Sequence, residues 1–263
     1  MNELKSKACN KNILFIIFTI LQITCIVLVI YNLLNRYIQS KADRNIRQEL
    51  IYTYKQEKSV KQEGEKIYTK IDKLAELQKI NSDIVALIQI EGTNINYPVL
   101  QTTNNSYYMT HNYKKEKSKD GSLFLDMSYN WKRPSTNLLI YGHNNIGSRE
   151  MFVDLVKYKN ESFYKTHKII KFTTNEEEAQ YEIISVFLSK VYYQDETDVF
   201  RYYYFINADN KREFDIFINN CKKTSLYEIK TTAEYGDSLM TLSTCEYSKI
   251  NGRLAVVAKK ITE

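Results

Sequence analysis

The sequence has 263 residues, a net charge of +6 and 22 tyrosines, but only seven glycines and two prolines. This length allows one or two domains with a sizeable core, and the basic residues are interspersed with acidic ones, which argues against nucleic-acid binding. The four cysteines form neither a disulfide framework nor a CxxC motif, and no HxxxH motif occurs, so a disulfide-rich or zinc-binding fold is excluded.

An apolar segment at positions 13–34 follows a short N-terminal stretch that contains three lysines. Twenty-two helical residues span roughly 30 Å, the thickness of the hydrocarbon core of a bilayer. No small-residue cleavage site follows, so the segment is predicted to be a transmembrane signal anchor rather than a cleaved signal peptide. Basic residues also follow the segment, and charge alone therefore does not orient the chain.

Positions 35–80 carry apolar residues at helical spacing in two stripes, at 46–54 and 67–80, with Gly64 between them. The pattern predicts two helices that form a spacer packed on the next domain. A partner-binding coiled coil is the alternative. A separate folded domain is then predicted to cover residues 81–263.

From position 84 the sequence changes to short runs of β-branched and aromatic residues separated by polar turns. Eight such runs predict a mainly β domain, either a barrel or a sandwich. The runs are Ile84–Ile90, Ile95–Leu100, Ser122–Met127, Asn137–His143, Ile169–Thr173, Tyr181–Tyr193, Ser238–Cys245 and Arg253–Ile261. Two interruptions, at 151–156 and 214–221, have apolar residues at helical spacing and are predicted to be helices. The second interruption has Cys221 on its apolar face, which predicts a buried structural thiol.

The other cysteine of this domain, Cys245, ends one β-prone run, and Arg253 begins the next. The Asn251-Gly252 step between them predicts a tight return that brings the guanidinium beside the thiol. A cysteine nucleophile reacts as its thiolate and needs a nearby cation or a histidine partner, and an arginine can also stabilise an oxyanion. On spacing alone, however, a structural role for Cys245 in the core is favoured over catalysis.

Three histidines are candidates for acid–base chemistry. His143 ends its own β-prone run, whereas His111 lies in a polar loop and His167 in a lysine-containing turn. His143 is therefore the preferred acid–base group, and the other two are interpreted as surface residues.

Four segments together resemble the sortase family. The run Thr241–Cys245 with Arg253 eight residues later resembles the cysteine signature of that family, and Tyr141–Asn144 resembles its histidine segment. Residues 95–101 and 121–126 resemble segments in the first half of its barrel. The likeness covers roughly residues 65–263 and is strongest to class B, which has N-terminal helices and a helix inserted before the cysteine strand, here at 209–223. Class D sortases usually lack that helix.

The resemblance implies an eight-stranded β-barrel preceded by one transmembrane helix. It also implies a cysteine transpeptidase that needs neither a metal nor an organic cofactor, with peptide hydrolysis as a side reaction. The implied catalytic residues are Cys245 as nucleophile, His143 as general acid and base, and Arg253 as the group that stabilises the oxyanion and the substrate. Candidate substrate contacts are Thr244, Ser243 and Asn144.

The partners implied by the resemblance are secreted surface proteins with a C-terminal sorting motif, cleaved after its threonine, and an amine of peptidoglycan or lipid II. Such partners require the catalytic domain to lie on the extracellular face of the cell membrane, which places residues 1–12 in the cytoplasm. The sorting motif, NPxTN-like or PPxTG-like, and the acceptor amine stay open. One alternative is a pilin-polymerising sortase with a lysine acceptor. Another is a membrane-tethered binding or scaffold protein in which Cys245 is structural.

Overall fold

The computed structural model describes residues 2–63 and 74–262; within the first range, side chains are described for residues 14–42, 44, 45, 48 and 51. Gly64 and the predicted apolar positions 67 and 71 lie outside these residues. The chain divides into two compact units, Met1–Arg44 and Asn45–Glu263. All the β-structure of the described residues belongs to the second unit.

A long helix, α1 (Asn2–Glu63), begins the chain. The sequence contains neither glycine nor proline over this range, so nothing interrupts the helical hydrogen bonds. Between Leu14 and Ala42 the helix is long and apolar enough to cross a membrane, and none of this stretch is buried. The side chains of Thr19, Thr24 and Asn32 donate to backbone carbonyls one turn earlier, which meets their hydrogen-bonding needs without water. These properties fit a membrane anchor.

A short helix, α2 (Ala75–Ile80), precedes the first strand. Leu74 and Leu77 are fully buried and pack in one cluster with Ile84 and Leu87 of that strand. The C-terminal end of the predicted spacer therefore packs on the β domain. The division of the rest of 35–80 into two spacer helices stays a prediction.

Ten strands form among the described residues, and eight of them close into a barrel. In chain order they are β1 (Ile84–Gln89), β2 (Asn96–Leu100), β3 (Leu123–Leu125), β4 (Asn137–Tyr141), β5 (Asn144–Asn145), β6 (Glu150–Met151), β7 (Ile169–Thr173), β8 (Glu178–Lys190), β9 (Leu239–Cys245) and β10 (Gly252–Lys260). The barrel order is β1-β2-β3-β4-β9-β10-β8-β7, and β7 pairs back to β1. The β2–β3 and β4–β9 pairs are parallel, and the other barrel pairs are antiparallel. The eight predicted runs coincide with the eight barrel strands, and the barrel is the correct choice over the sandwich.

The segment after β4 differs from its prediction. The expected helix at 151–156 is instead the end of β6 followed by 3₁₀ turns over Val153–Lys159, and β5 and β6 form a separate two-stranded ladder. Met151 has a φ of +60°, which is incompatible with a right-handed helix. A short helix, α3 (Glu161–Thr166), follows, and the side chain of Asn160 caps it by accepting from the Ser162 amide.

Helix α4 (Lys211–Thr224) is inserted before the cysteine strand, as the resemblance implied. The Asn210 side chain caps its N-terminus by accepting from the Glu213 amide. The predicted apolar face is confirmed, because its residues are buried and pack on the outside of the barrel: Phe214, Phe217, Ile218 and Cys221. Burial raises the pKa of the Cys221 thiol, so Cys221 is the structural cysteine that the pattern predicted.

The burial pattern of β9 explains how the barrel presents its last residue. Met240 and Leu242 join the cluster inside the barrel, whereas Leu239 joins the cluster beneath α4. Both faces are therefore covered, and every residue from Leu239 to Thr244 is buried. Cys245 is the first partly exposed residue of the strand, so its side chain lies at the surface at the end of a buried strand.

Candidate active site

Cys245 and Arg253 are direct partners in the antiparallel ladder between β9 and β10. The hairpin that joins them places Asn251 in the left-handed region with a φ of +56°. At Gly252, a Cβ atom would lie 2.2 Å from the Glu246 carbonyl oxygen, so only glycine fits there. The return predicted from the Asn251-Gly252 step is confirmed, and it brings residues 245 and 253 side by side.

The loop of this hairpin is held by a buried carboxylate next to Cys245. The Glu246 carboxylate accepts from Lys159 Nζ at 2.7 Å and from the amide of Ser248 at 3.0 Å. Burial opposes ionisation of this carboxyl, but its hydrogen bonds to Lys159 and Ser248 outweigh burial and lower the pKa of Glu246. The amide of Glu246 donates to the Gly252 carbonyl at 3.0 Å, so this amide is occupied within the hairpin.

His143 reaches the same region through the parallel pairing of β4 with β9. Tyr141 of β4 lies opposite Ser243 of β9, and both chains run two residues further in the same direction to His143 and Cys245. The Thr244 hydroxyl donates to the Gly142 carbonyl at 2.8 Å and locks this register. The imidazole Nε2–H of His143 donates to the Met109 carbonyl at 2.8 Å, which orients the ring.

The side chains of Cys245, His143 and Arg253 all line one pocket, which has a volume of about 260 Å³. Ser243 and Thr244 line it as well. Its other walls come from separate parts of the chain and include Asn105, Met109, Tyr141, Val191, Tyr202 and Tyr203. Most of this accessible lining is apolar, as is usual for a binding site that contains a few oriented polar groups.

Tyr202 lines the pocket and bonds to the cysteine strand. It is fully buried, and its hydroxyl lies 2.7 Å from the Ser243 hydroxyl. Burial raises the pKa of Tyr202 to about 12, although the hydrogen bond to Ser243 and the charge of Arg253 act in the opposite direction. The sequence of three consecutive tyrosines at 202–204 does not indicate which hydroxyl bonds to the cysteine strand.

The other two histidines do not line this pocket. His111 stacks on Tyr107 with ring centroids 4.1 Å apart, and His167 stacks on Phe163 at 4.0 Å. Asn144, predicted as a substrate contact, does not line the pocket either; it is buried, and its carboxamide donates to the Cys245 carbonyl at 3.0 Å.

No group of three or more His, Cys, Asp or Glu side chains arranged to hold a metal ion occurs in the part of the chain that the structure describes. The pocket thus offers a thiol, an imidazole and a guanidinium beside an apolar cavity. This set can perform acyl transfer by nucleophilic attack, proton exchange and stabilisation of an oxyanion.

Comparison with known proteins identifies relatives over the same region. The family model for the sortase domain matches residues 88–261, which include every residue that lines the pocket. Sortase B of Staphylococcus aureus is 32% identical over 248 residues, covering 92% of this chain and 96% of that protein. A solved Staphylococcus aureus sortase B–substrate complex has a TM-score of 0.73 at 30% identity, covering 86% of this chain and 99% of the other. A crystal structure of sortase B complexed with triglycine has a TM-score of 0.72 at 31% identity, covering 84% and 98%.

Proposed function

This chain belongs to the sortase family, with its similarity in class B, and we propose that it is a membrane-anchored cysteine transpeptidase that attaches secreted proteins to the cell wall. The observation that carries the proposal is the pairing of Cys245 with Arg253 at the end of a buried strand, with His143 in the same pocket. A cysteine that only packs in the core would not require a cation on the paired strand position, a histidine nearby or an open cavity.

In the first half-reaction, the Cys245 thiolate attacks the carbonyl carbon of the threonine in a sorting motif. The oxyanion that develops is stabilised by the Arg253 guanidinium. Collapse of this intermediate breaks the peptide bond and forms a thioester, and His143 gives a proton to the departing amine.

In the second half-reaction, an amine of a peptidoglycan stem or cross-bridge attacks the thioester. His143 takes a proton from this amine, a new amide forms, and Cys245 leaves as the thiolate. Hydrolysis follows the same path when water replaces the amine. The triglycine bound by a related sortase B supports a glycine-type amine as the acceptor.

The pocket walls support a proline-containing motif as the donor. Tyr141 and Tyr203, which are both partly exposed, supply aromatic surface, which packs well on the rigid ring of proline. Ser243 and Thr244 line the pocket next to the nucleophile and are the proposed contacts for the residues around the scissile bond. Asn144 as a substrate contact stays a prediction.

The apolar stretch of α1 supports the cellular location. An anchored enzyme shares one membrane face with a lipid-linked acceptor and a newly secreted donor, which raises their effective concentration. We therefore place the catalytic domain on the extracellular face, with residues 1–12 inside the cell.

The proposal is tested with the full chain in detergent and a panel of fluorogenic peptides that carry NPxTN-type or PPxTG-type motifs. We expect cleavage after threonine for one motif type and, with triglycine present, a ligated product detected by mass spectrometry. The matched control is the same peptide with its threonine replaced by alanine. Ligation only to a lysine side-chain amine would identify a pilin-polymerising enzyme, and absence of both cleavage and thioester would refute the proposal.

Replacing Arg253 with alanine is expected to lower kcat by about 10²- to 10³-fold, the usual effect of removing one oxyanion donor. Arg253→Lys should recover only part of this loss, because a lysine ammonium lacks the planar guanidinium with its several N–H donors. In Arg253 this group donates to the Gly252 carbonyl at 2.9 Å and also lines the pocket. Lys249→Ala is the matched control, since it removes an exposed cation from the same hairpin. Equal effects of both alanine variants on kcat would contradict a specific role for Arg253.

A further inference from the structure

Asn144 connects the histidine segment to the cysteine strand. It follows His143 directly, it is only 5% exposed, and its Nδ2 donates to the carbonyl of Cys245 at 3.0 Å. Its own backbone carbonyl accepts from the hydroxyl of Tyr247, two residues beyond Cys245, at 2.9 Å. Two hydrogen bonds therefore join the segments that carry the acid–base group and the nucleophile.

The peptide group that follows Cys245 is held at both of its polar atoms. Its oxygen accepts from Asn144, and its N–H, which belongs to Glu246, donates to the Gly252 carbonyl at 3.0 Å. The same Gly252 carbonyl also accepts from Arg253 Nη1 at 2.9 Å. A continuous series of hydrogen bonds thus runs from Asn144 through the Cys245 peptide to the guanidinium.

The carboxamide of Asn144 is not fully satisfied. Its Oδ1 is the buried side-chain nitrogen or oxygen atom that has no hydrogen-bond partner among the described residues. Turning the amide over would set two carbonyl oxygens against each other, so the Cys245 carbonyl fixes its orientation. A buried unpaired acceptor reduces stability and calls for an explanation, and the donor on the same side chain provides one.

We propose that Asn144 is a positioning residue that fixes the peptide following the nucleophile, and through it the geometry of Cys245 relative to Arg253. This inference rests on the proposed function. It differs from a substrate contact because the side chain acts through the enzyme's own backbone.

The test replaces Asn144 with leucine, which has a similar volume and carries neither the donor nor the unpaired oxygen. We expect kcat for peptide cleavage by the full chain to fall about tenfold and KM to stay within about twofold. The melting temperature should change little, because leucine removes the unpaired Oδ1 but also the donor to the Cys245 carbonyl. Asn145→Leu is the matched control, because its amide lies on the same short strand but donates to Asp120 at 2.8 Å, away from the Cys245 peptide. Its kcat should equal that of the unmodified protein.

Two results would overturn the inference: an unchanged kcat in Asn144→Leu, or an equal loss of kcat in both leucine variants. If kcat is unchanged, a lower melting temperature would indicate a purely structural role, and a raised KM would make Asn144 a substrate contact. Turnover by Cys245→Ala would instead refute the proposed function itself, so the two failures are distinguishable.

Discussion

Cys245→Ala is expected to abolish peptide cleavage, with a fall in kcat of at least about 10⁴-fold, because no other described group in the pocket can form the thioester. The full chain incubated with a thiol-reactive analogue of a sorting peptide should gain the mass of one peptide, and digestion should locate the label at Cys245. The alanine variant should gain none.

Cys221→Ala is the control for this experiment. The Cys221 thiol lies on the buried face of α4 and has a raised pKa, so it is neither accessible nor ionised at neutral pH. Its replacement should lower the melting temperature slightly by leaving a small cavity, with labelling and turnover unchanged. An equal mass gain in the unmodified chain and in Cys245→Ala, with the label on another cysteine such as the exposed Cys25, would contradict a catalytic Cys245 and would favour the binding or scaffold alternative.

The barrel strands could be predicted because each is a local feature of the sequence. Runs such as Ile84–Ile90 and Ser238–Cys245 are rich in β-branched and apolar residues and are bounded by polar turns. The β9–β10 hairpin is local too, since Asn251 and Gly252 have the backbone freedom that a tight return requires. The pairing of Cys245 with Arg253 follows from these short-range signals.

The order of the strands around the barrel could not be predicted from local patterns. The parallel pairing of β4 with β9 joins residues more than a hundred positions apart, and no local pattern specifies such a contact. That pairing brings His143 level with Cys245, so their proximity was available only from the resemblance. The pocket residues Asn105 and Met109 lie on a loop whose course depends on the finished barrel.

One local prediction was wrong for a physical reason. The apolar residues at 151–156 repeat at helical spacing, but Met151 has a positive φ and pairs with Asn144 in the small ladder. Tertiary contacts override the pattern here, since Met151 and Phe152 are buried and the Phe152 amide donates to the His143 carbonyl at 2.8 Å. The segment that was wrongly predicted as a helix supports the candidate histidine. Disagreement between local helix preference and the observed structure is expected near a functional site.

His143→Gln is expected to lower kcat by about 10²- to 10⁴-fold, the contribution of a positioned general acid and base. Glutamine keeps an N–H that can donate to the Met109 carbonyl, as Nε2 of His143 does at 2.8 Å, but it cannot exchange a proton. The variant therefore separates proton transfer from orientation of the ring. Measurement of kcat with and without triglycine tests both half-reactions, because departure of the first amine and attack of the second each require the imidazole.

His111→Gln is the matched control, because the His111 ring also bonds to the backbone of the loop that contains Met109, with Nδ1 2.8 Å from the Tyr107 carbonyl oxygen. Its ring stacks on Tyr107 and does not line the pocket, so kcat should stay within about twofold of the unmodified protein. Loss of turnover in His111→Gln with activity retained in His143→Gln would reverse the assignment. The contrast is informative because both imidazoles bond to carbonyls of one loop and differ in their access to Cys245.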